Sequence, residues 1–225
     1  MTPPPARRAP WILPAVLATA LLVLSIAVAV EWSPLMRLDR WVAGRAFEAT
    51  SGHDGRIAVW TAITDGAAPH PVRLALLVAA VLALVRRRVD LAVWLAALSF
   101  VEGVVAPASK HVLDRPRPSW AEPVVELSSL SYPSGHATAA ATAAVALVLV
   151  VRHRAAACAA LVLAVSVAAS RVFLGVHYLS DVVAGSLLGS LLAVSTYAVL
   201  PLLRRVLPTD PRSDVVGTAD RSNGT

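Results

Sequence analysis

Six long apolar runs dominate this chain and restrict it to folds that a lipid bilayer can hold. Each run is 15 to 25 residues long, and more polar stretches of 3 to 40 residues separate them. The runs cover residues 11–30, 71–85, 89–108, 137–151, 155–175 and 179–203. About 20 apolar residues in a helix cross the hydrocarbon core of a bilayer, where only helices and closed barrels satisfy the backbone. Runs of this length therefore predict spanning helices.

The composition agrees with a membrane protein. Hydrophobic residues make up 57% of the 225 positions and charged residues only 15%, whereas soluble domains carry about a quarter charged residues. The net charge is +6, and the arginines stand in short groups between the runs, a pattern that orients a membrane protein and does not indicate nucleic-acid binding. We predict an all-α integral membrane bundle of six transmembrane helices over residues 11–207, with disordered cytoplasmic tails at 1–10 and 208–225.

The first run, residues 11–30, also fits a signal peptide, because Ala27-Val28-Ala29 resembles a cleavage site. The run is long for a signal peptide, and residues 31–70 do not resemble the start of a secreted domain, so we favour an uncleaved anchor. In residues 31–70, apolar side chains such as Trp32 and Phe47 recur at helical spacing among charges. This pattern is typical of a helix that lies in the membrane interface.

Groups of arginines between the runs predict the orientation. They occur at Arg7-Arg8, at 86–88, at Arg152 and Arg154, and at Arg204-Arg205. With six spans, all of these groups fall on one side, which the positive-inside rule makes the cytoplasm, and both termini lie there. Three polar clusters fall on the opposite side: cluster 1 at residues 110–118, cluster 2 at 133–136 and cluster 3 at 170–181. The sequence therefore predicts a multi-pass cell-membrane protein whose active site is extracytoplasmic.

The three clusters hold residues suited to an anionic ligand. Cations recur in clusters 1 and 3, at Lys110, Arg115, Arg117 and Arg171. Planar guanidinium groups suit the oxygens of phosphate, and an ammonium group adds a point charge. In cluster 2, Ser134 and Gly135 precede a predicted helix, where backbone N–H groups form an oxyanion site and a glycine lets a ligand approach closely. Together these residues indicate a bound phosphate group.

Cluster 3 also contains a histidine and an aspartate four residues apart. If His177 and Asp181 share the first turn of the sixth helix, they lie on one face, and the carboxylate orients the imidazole as in a catalytic triad. His177 is then a nucleophile, and His136 suits a general acid that protonates the leaving oxygen. A metal bound by His136, His177 and Asp181 is the chemical alternative, but the nearby cations would repel a divalent ion. We expect neither a metal nor another cofactor.

Two features inside the runs predict contacts between helices. Glu102 is an ionisable residue in the third run, where charge is costly. It is either a carboxylate that bonds a neighbouring helix or a partner that positions one of the cations of the site. In the sixth run, Gly185 and Gly189 form a small-xxx-small pair, which predicts a close approach of two helices.

In these clusters the chain resembles the type-2 phosphatidic acid phosphatase family of membrane lipid phosphatases. The family pattern has three parts, and all are present: Lys110, six residues, Arg117-Pro118; Pro133-Ser134-Gly135-His136; and Ser170-Arg171, five residues, His177, three residues, Asp181. By position, the resemblance implies that phosphate is bound by Lys110, Arg117, Arg171, Ser134 and Gly135. It also implies that His136 is the acid, that His177 forms a phosphohistidine and that Asp181 orients His177.

The resemblance implies metal-free hydrolysis of a lipid phosphate or pyrophosphate in the outer leaflet, by a chain that is compatible with a homodimer. Candidate substrates within the family are undecaprenyl pyrophosphate, phosphatidylglycerophosphate and phosphatidic acid, and the small size of the chain favours the first. The motifs are also similar to those of vanadium haloperoxidases, but most of those are soluble. Two alternatives are a phosphotransferase that uses a sugar or lipid hydroxyl and a protein that binds or transports a lipid phosphate without chemistry.

Overall fold

The computed structural model describes residues 11–151 and 153–201, and every regular element within these ranges is helical. The α-helices are α1 (Ile12–Ala29), α2 (Ser33–Glu48), α3 (Asp54–Gly66), α4 (Pro69–Val85), α5 (Val89–Ser109), α6 (Gly135–Val150), α7 (Arg154–Phe173) and α8 (Leu179–Ala198). A short 3-10 turn, Lys110–Val112, directly follows α5. The prediction of an all-α fold is confirmed. The predicted tails at 1–10 and 208–225 lie outside the described residues.

Most of the predicted runs form helices of the length that a bilayer needs. Five stretches are long and apolar enough to cross a membrane: Ile12–Ala29, Asp54–Val85, Val89–Val112, Arg154–Phe173 and Leu179–Ala198. The fourth predicted run forms α6, which has 16 residues and is shorter than these five. The chain is therefore a multi-span membrane protein, and the count of six spans stays a prediction.

The second predicted run begins earlier than its sequence pattern suggested. Helix α4 begins at Pro69, two residues before the predicted start at Pro71. Both prolines fit in the first turn, because the backbone N–H groups of that turn have no partner within the helix. Since α3 ends at Gly66, α3 and α4 follow each other closely and together form the second apolar stretch.

The bundle has an apolar exterior and an interior of small residues. Large hydrophobic side chains face outward from α4, α5 and α7, among them Val85, Phe100 and Val165. The buried core instead contains many alanines, such as Ala139 and Ala193, around Leu98. An extensive apolar exterior is what lipid would cover, and small interior residues let membrane helices approach closely.

Helices α6 and α8 lie in backbone contact, as the two glycines of the sixth run predicted. A Cβ atom added at Gly185 would overlap the carbonyl oxygen of Ser134, and one added at Gly189 would overlap that of Thr138. Thr142 Oγ1 also donates to the carbonyl of Gly189 at 3.3 Å. This contact brings the first turns of both helices together, and these turns carry parts of clusters 2 and 3.

Residues 31–70 form two helices that cover one end of the bundle. Helix α2 buries one face, including Asp39, Ala43 and Phe47, and packs on α7 and α8. Helix α3 packs on α7, where Trp60 stacks on Phe173 with ring centroids 4.6 Å apart. The helical prediction for this segment is confirmed, and its location in a membrane interface stays a prediction.

The three polar clusters meet at one end of the bundle, opposite the arginine turn between α4 and α5. At the cluster end, Lys110 Nζ donates to the carbonyl oxygen of Pro133 at 3.4 Å, which joins clusters 1 and 2. Helix α5 runs from Val89 to Ser109, directly before Lys110, so the arginine turn that precedes α5 lies at the other end of the bundle, about 30 Å away. Which end faces the cell exterior stays a prediction.

Candidate active site

The connection between α5 and α6 folds over the end of the bundle and carries two arginines into it. Residues 113–134 contain no helix, as their prolines predicted. Arg117 Nε donates to the carbonyl of Ser129 at 2.6 Å, and its Nη1 donates to that of Val176 at 2.6 Å. Arg117 therefore ties this connection to the turn between α7 and α8.

His177 lies just before α8 and is 2% exposed. The condition that His177 and Asp181 share the first turn of α8 is not met, because Tyr178 is the N-cap residue and Asp181 is the third residue of the helix. The carboxylate nevertheless reaches back, because Asp181 Oδ2 accepts a hydrogen bond from the Tyr178 N–H at 2.8 Å. As a result, Asp181 Oδ2 lies 3.4 Å from His177 Nδ1.

The two ring nitrogens of His177 have different partners. Ser131 Oγ lies 3.3 Å from Nδ1 and donates its own proton to Asp181 Oδ2. Arg117 Nη1 lies 3.0 Å from Nε2. A guanidinium can only donate, so Nε2 is an acceptor and the ring proton lies on Nδ1, toward the carboxylate. The lone pair of Nε2 therefore points toward the phosphate-binding cations predicted from the sequence.

Burial keeps His177 neutral. It lowers the pKa of His177 to about 4, from an ordinary value near 6.5. The hydrogen bond and charge of Asp181 oppose this lowering, and the charges of Arg117 and Arg171 add to it. A neutral imidazole with an unprotonated Nε2 is the form that a nucleophile needs.

The predicted phosphate-binding side chains converge on the same place. Lys110 Nζ donates to the carbonyl of Leu130 at 2.8 Å, and Arg171 Nη1 donates to Thr64 Oγ1 at 2.9 Å. Within the described ranges, Arg171 Nε and Ser134 Oγ are buried and have no hydrogen-bond partner. Buried polar groups are nearly always bonded, so these two unpaired donors suit an anionic ligand.

The start of α6 supplies fewer backbone donors than expected. The N–H of Ser134 was predicted to face the anion, but it donates to the carbonyl oxygen of Asp181 at 3.0 Å, because α6 and α8 are in backbone contact. The N–H groups of the first turn, from Gly135 and His136, have no partner within the helix and remain suited to the anion. A Cβ atom added at Gly135 would meet nothing within 4 Å, so the chain is open on that side.

His136 is the second residue of α6 and is half-buried. Its ring interacts electrostatically with four groups of clusters 1 and 3: Lys110, Arg117, Arg171 and His177. The structure therefore brings together every residue that the sequence proposed for the site. His136 lies among cations, where the charge of a bound phosphate would favour its protonated form.

Arg115 differs from the other cations of cluster 1. Its Nη1 donates to Asp181 Oδ1 at 2.6 Å and its Nη2 to Asp39 Oδ2 at 2.8 Å, and its guanidinium lies 4.3 Å from the ring centroid of Tyr178. Burial alone would lower the pKa of Arg115, but the charges of Asp181 and Asp39 raise it above its usual value. Because two carboxylates occupy Arg115, it is not free to bind phosphate as the sequence suggested.

Two residues next to the site were not identified from the sequence. Ser131 bonds Asp181, but a single serine in a polar connection gives no distinguishing signal. Asp39 did give one, because it shares a helical face with the apolar residues Ala43 and Ala46 at spacings of four and seven. A carboxylate on such a face indicates a buried partner.

Glu102 bonds a neighbouring helix and does not position a phosphate-binding cation. Its Oε2 lies 3.1 Å from Arg73 Nε on α4. The Arg73 Nε–H donates to the carbonyl of Pro69 at 3.2 Å, so the contact with Glu102 is an ion pair without a hydrogen bond. The structure therefore supports the interpretation that Glu102 bonds a neighbouring helix.

Comparisons with known proteins agree with these motifs. A family model described as the PAP2 superfamily matches residues 87–205. Phosphatidylglycerophosphatase B of Bacillus subtilis (strain 168) is 36% identical over 92 residues, which cover 37% of this chain and 45% of that relative. The chain thus matches less than half the length of this curated relative.

A solved structure extends the similarity to most of the fold. The crystal structure of the first transmembrane PAP2 type phosphatidylglycerolphosphate phosphatase from Bacillus subtilis is 26% identical and has a TM-score of 0.70. The superposition covers 88% of this chain and 98% of that one. The family model spans more than half of the 225 residues and includes all three clusters, so this chain belongs to the PAP2 superfamily.

Proposed function

We propose that this protein is a membrane-embedded phosphatase that hydrolyses a lipid phosphate through a phosphohistidine. The observation that supports it best is the arrangement around His177. Its Nδ1 faces Asp181, and its Nε2 faces Arg117 and the cations of clusters 1 and 3. A ring nitrogen aimed at a phosphate site and oriented from behind by a carboxylate is the geometry of an activated nucleophile.

In the proposed first step, the phosphate group binds Lys110, Arg117 and Arg171, and Arg117 exchanges its contact with Nε2 for a phosphate oxygen. Nε2 of His177 then attacks phosphorus in line, and the bond between phosphorus and the lipid oxygen breaks. His136 gives its proton to that leaving oxygen. Asp181 stabilises the positive charge that develops on the imidazole, and the cations stabilise the negative charge on the phosphoryl oxygens.

In the proposed second step, water replaces the lipid. His136, now neutral, takes a proton from the water as the oxygen attacks phosphorus. The bond between phosphorus and Nε2 breaks, and inorganic phosphate and free His177 are formed. The same two side chains therefore serve both steps, with the role of His136 reversed.

Phosphatidylglycerophosphate is the first substrate to test. Both relatives described above are named for activity on this lipid, which moves our preference away from undecaprenyl pyrophosphate. The latter and phosphatidic acid belong in the same assay, because all three present a phosphate on an apolar anchor. From the arginine distribution, we place the reaction in the outer leaflet.

The test is release of inorganic phosphate by the purified full-length protein in detergent, from each of the three lipids, with a chelator present. We expect release from at least one lipid, inhibition by vanadate and no loss with chelator. Absence of release from all three, or loss of activity with chelator, would contradict the proposal. A radiolabelled donor with added sugar or lipid alcohols detects the alternative, since a phosphotransferase would label the alcohol in place of forming free phosphate.

A further inference from the structure

We propose that Asp39, on helix α2, is a positioning residue for this reaction and acts on Asp181 through Arg115. The proposal rests on the function proposed above. Asp39 lies outside residues 87–205, which the family model matches, and belongs to the segment whose role the sequence left open. It would therefore give α2 a part in the chemistry.

Asp39 is 1% exposed and holds the start of α8 at two points. Its Oδ1 accepts from the N–H of Ser180 at 2.9 Å, and its Oδ2 accepts from the Ser180 hydroxyl. Ser180 is the residue before Asp181. The carboxylate of α2 thus fixes the backbone that carries the proposed orienting carboxylate.

Arg115 links the two carboxylates. Its Nη2 is 2.8 Å from Asp39 Oδ2, its Nη1 is 2.6 Å from Asp181 Oδ1, and the same Nη1 is 2.7 Å from Ser180 Oγ. With Oδ1 of Asp181 held by Arg115, Oδ2 is left for Ser131, the N–H of Tyr178 and the ring of His177. Removing Asp39 would free the guanidinium to shift, and Asp181 would shift with it.

A packing role alone does not account for Asp39. Taking a carboxylate and a guanidinium out of water costs free energy that their attraction often only offsets. The rest of this face of α2 is apolar, with Ala43 and Ala46 buried, so replacing the whole Asp39–Arg115 pair with hydrophobic residues would cost little stability. The ionic link instead sets both the position of Asp181 and the charge near His177.

The charge of the link has a measurable consequence. Asp39, Arg115 and Asp181 together carry one net negative charge, counted with both carboxylates ionised. The other charged or titratable groups that face His177 come from the α5–α6 connection, α6 and α7, namely Arg117, His136 and Arg171, with Lys110 next to them. Neutralising Asp39 removes negative charge and should lower the pKa of His177, whereas neutralising Arg115 removes positive charge and should raise it.

The experiment compares the full-length protein with Asp39→Asn, Arg115→Gln, the double variant and a control, Glu48→Gln. Glu48 is an exposed carboxylate on the same helix, paired with Arg45 at 3.6 Å. The measurements are kcat and KM for whichever of the three lipids above wild-type protein hydrolyses fastest, the His177 titration midpoint by NMR of histidine-labelled protein, and thermal unfolding. A catalytic group displaced by about 1 Å can lose roughly 100-fold in rate, so we expect Asp39→Asn to lower kcat by about 10- to 100-fold.

The KM of Asp39→Asn should stay within about twofold of wild type, because substrate binding does not use Asp39. The two single variants should shift the His177 titration midpoint in opposite directions. The double variant should return that midpoint toward the wild-type value. Glu48→Gln should match wild type throughout. If Arg115→Gln does not fold, the kcat values and His177 midpoints of Asp39→Asn and of the double variant test the proposal.

Two results would overturn the proposal. One is an Asp39→Asn protein with wild-type kcat and an unshifted His177 midpoint. The other is a loss of kcat that matches a loss of folded protein, with the midpoint unshifted, since that is the result of a purely structural role. Failure of the proposed function is a separate result, because wild-type protein would then release no phosphate. The NMR midpoints would still test whether Asp39 and Arg115 act on His177 through Asp181.

Discussion

The two nitrogens of His177 face opposite charges, Asp181 behind and Arg117 in front. Asp181 fixes the proton on Nδ1, and Arg117 marks where phosphate oxygens would bind. The ring is buried, so it cannot turn away into solvent. This arrangement favours nucleophilic attack over simple binding, because binding alone needs the cations and no oriented imidazole.

Replacing His177 with alanine should remove turnover and keep the fold. Asp181 retains Arg115 and Ser131 as partners, so no buried carboxylate is left unpaired. Because the proposed nucleophile itself is lost, we expect kcat to fall by at least about 1,000-fold. Phosphate release and thermal unfolding measure the two effects, and His53→Ala, at an exposed histidine before α3, is the matched control. A His177→Ala protein with more than a few per cent of wild-type kcat would contradict the assignment.

The low pKa of His177 predicts a specific titration. His177 should stay neutral with Nε2 unprotonated down to about pH 4. Because the unfolded chain takes up this proton near pH 6.5, it binds more protons between about pH 6.5 and 4, and acidification through this window should lower the stability. Histidine-selective NMR of the substrate-free protein measures the midpoint and the tautomer. A midpoint near 6.5, or a proton on Nε2, would be inconsistent with the geometry described above.

At the scale of the elements, the contact between α6 and α8 builds the site. Gly185 and Gly189 let the two backbones touch, and the Ser134 N–H then bonds the carbonyl of Asp181. The turn of cluster 2 that we propose to bind phosphate and the carboxylate of cluster 3 that we propose to orient His177 are therefore fixed to each other through backbone atoms. Small changes in this helix contact should be transmitted directly to the site.

Gly189→Ala should destabilise the protein and lower its activity. The added methyl group would overlap the Thr138 carbonyl oxygen and lie 2.9 Å from Thr142 N, so the helices must separate. Overpacking of this kind costs about 1–3 kcal/mol. The control is Gly44→Ala on α2, where an added Cβ meets nothing within 4 Å and stability should rise by about 0.5–1 kcal/mol. Equal unfolding temperatures for the two variants in detergent would show that the contact is unimportant.

The sequence predicted the helices and the meeting of the clusters, because apolar runs and charged residues at their ends are local signals. It did not predict partners that depend on packing between distant elements. Asp39 and Arg115 are 76 residues apart, and no periodicity within either segment relates them. The pairing of the Ser134 N–H with Asp181 likewise follows from how closely α6 and α8 approach, a distance that two glycines suggest but do not specify.

At the scale of the whole molecule, the apolar exterior is typical of a membrane protein, and the two ends of the bundle carry different polar groups. The clusters gather at one end, and the arginine turn between α4 and α5 lies at the other end of α5. Under the proposed function, a lipid phosphate would reach this site from the bilayer, with its anchor still in the hydrocarbon region. The orientation decides which leaflet supplies the substrate.

We expect the cluster end to face the cell exterior. In a Cys158→Ser background, which removes the only cysteine, Ser128→Cys places a thiol at the exposed cluster end and Arg87→Cys places one at the arginine turn. A membrane-impermeant maleimide added to intact cells should label the first variant and reach the second only after the membrane is opened. The reverse pattern would place the site on the cytoplasmic side.

The most direct test of the account is to trap the phosphoryl group on His177. Wild-type protein is mixed with a lipid substrate radiolabelled in its phosphate, quenched within milliseconds and examined for label on the protein. We predict a label that is stable to alkali, lost in acid, located on the peptide containing His177 and absent from His177→Ala. Phosphate release by wild-type protein with no label at any quench time, or label retained by His177→Ala, would contradict a phosphohistidine at this residue.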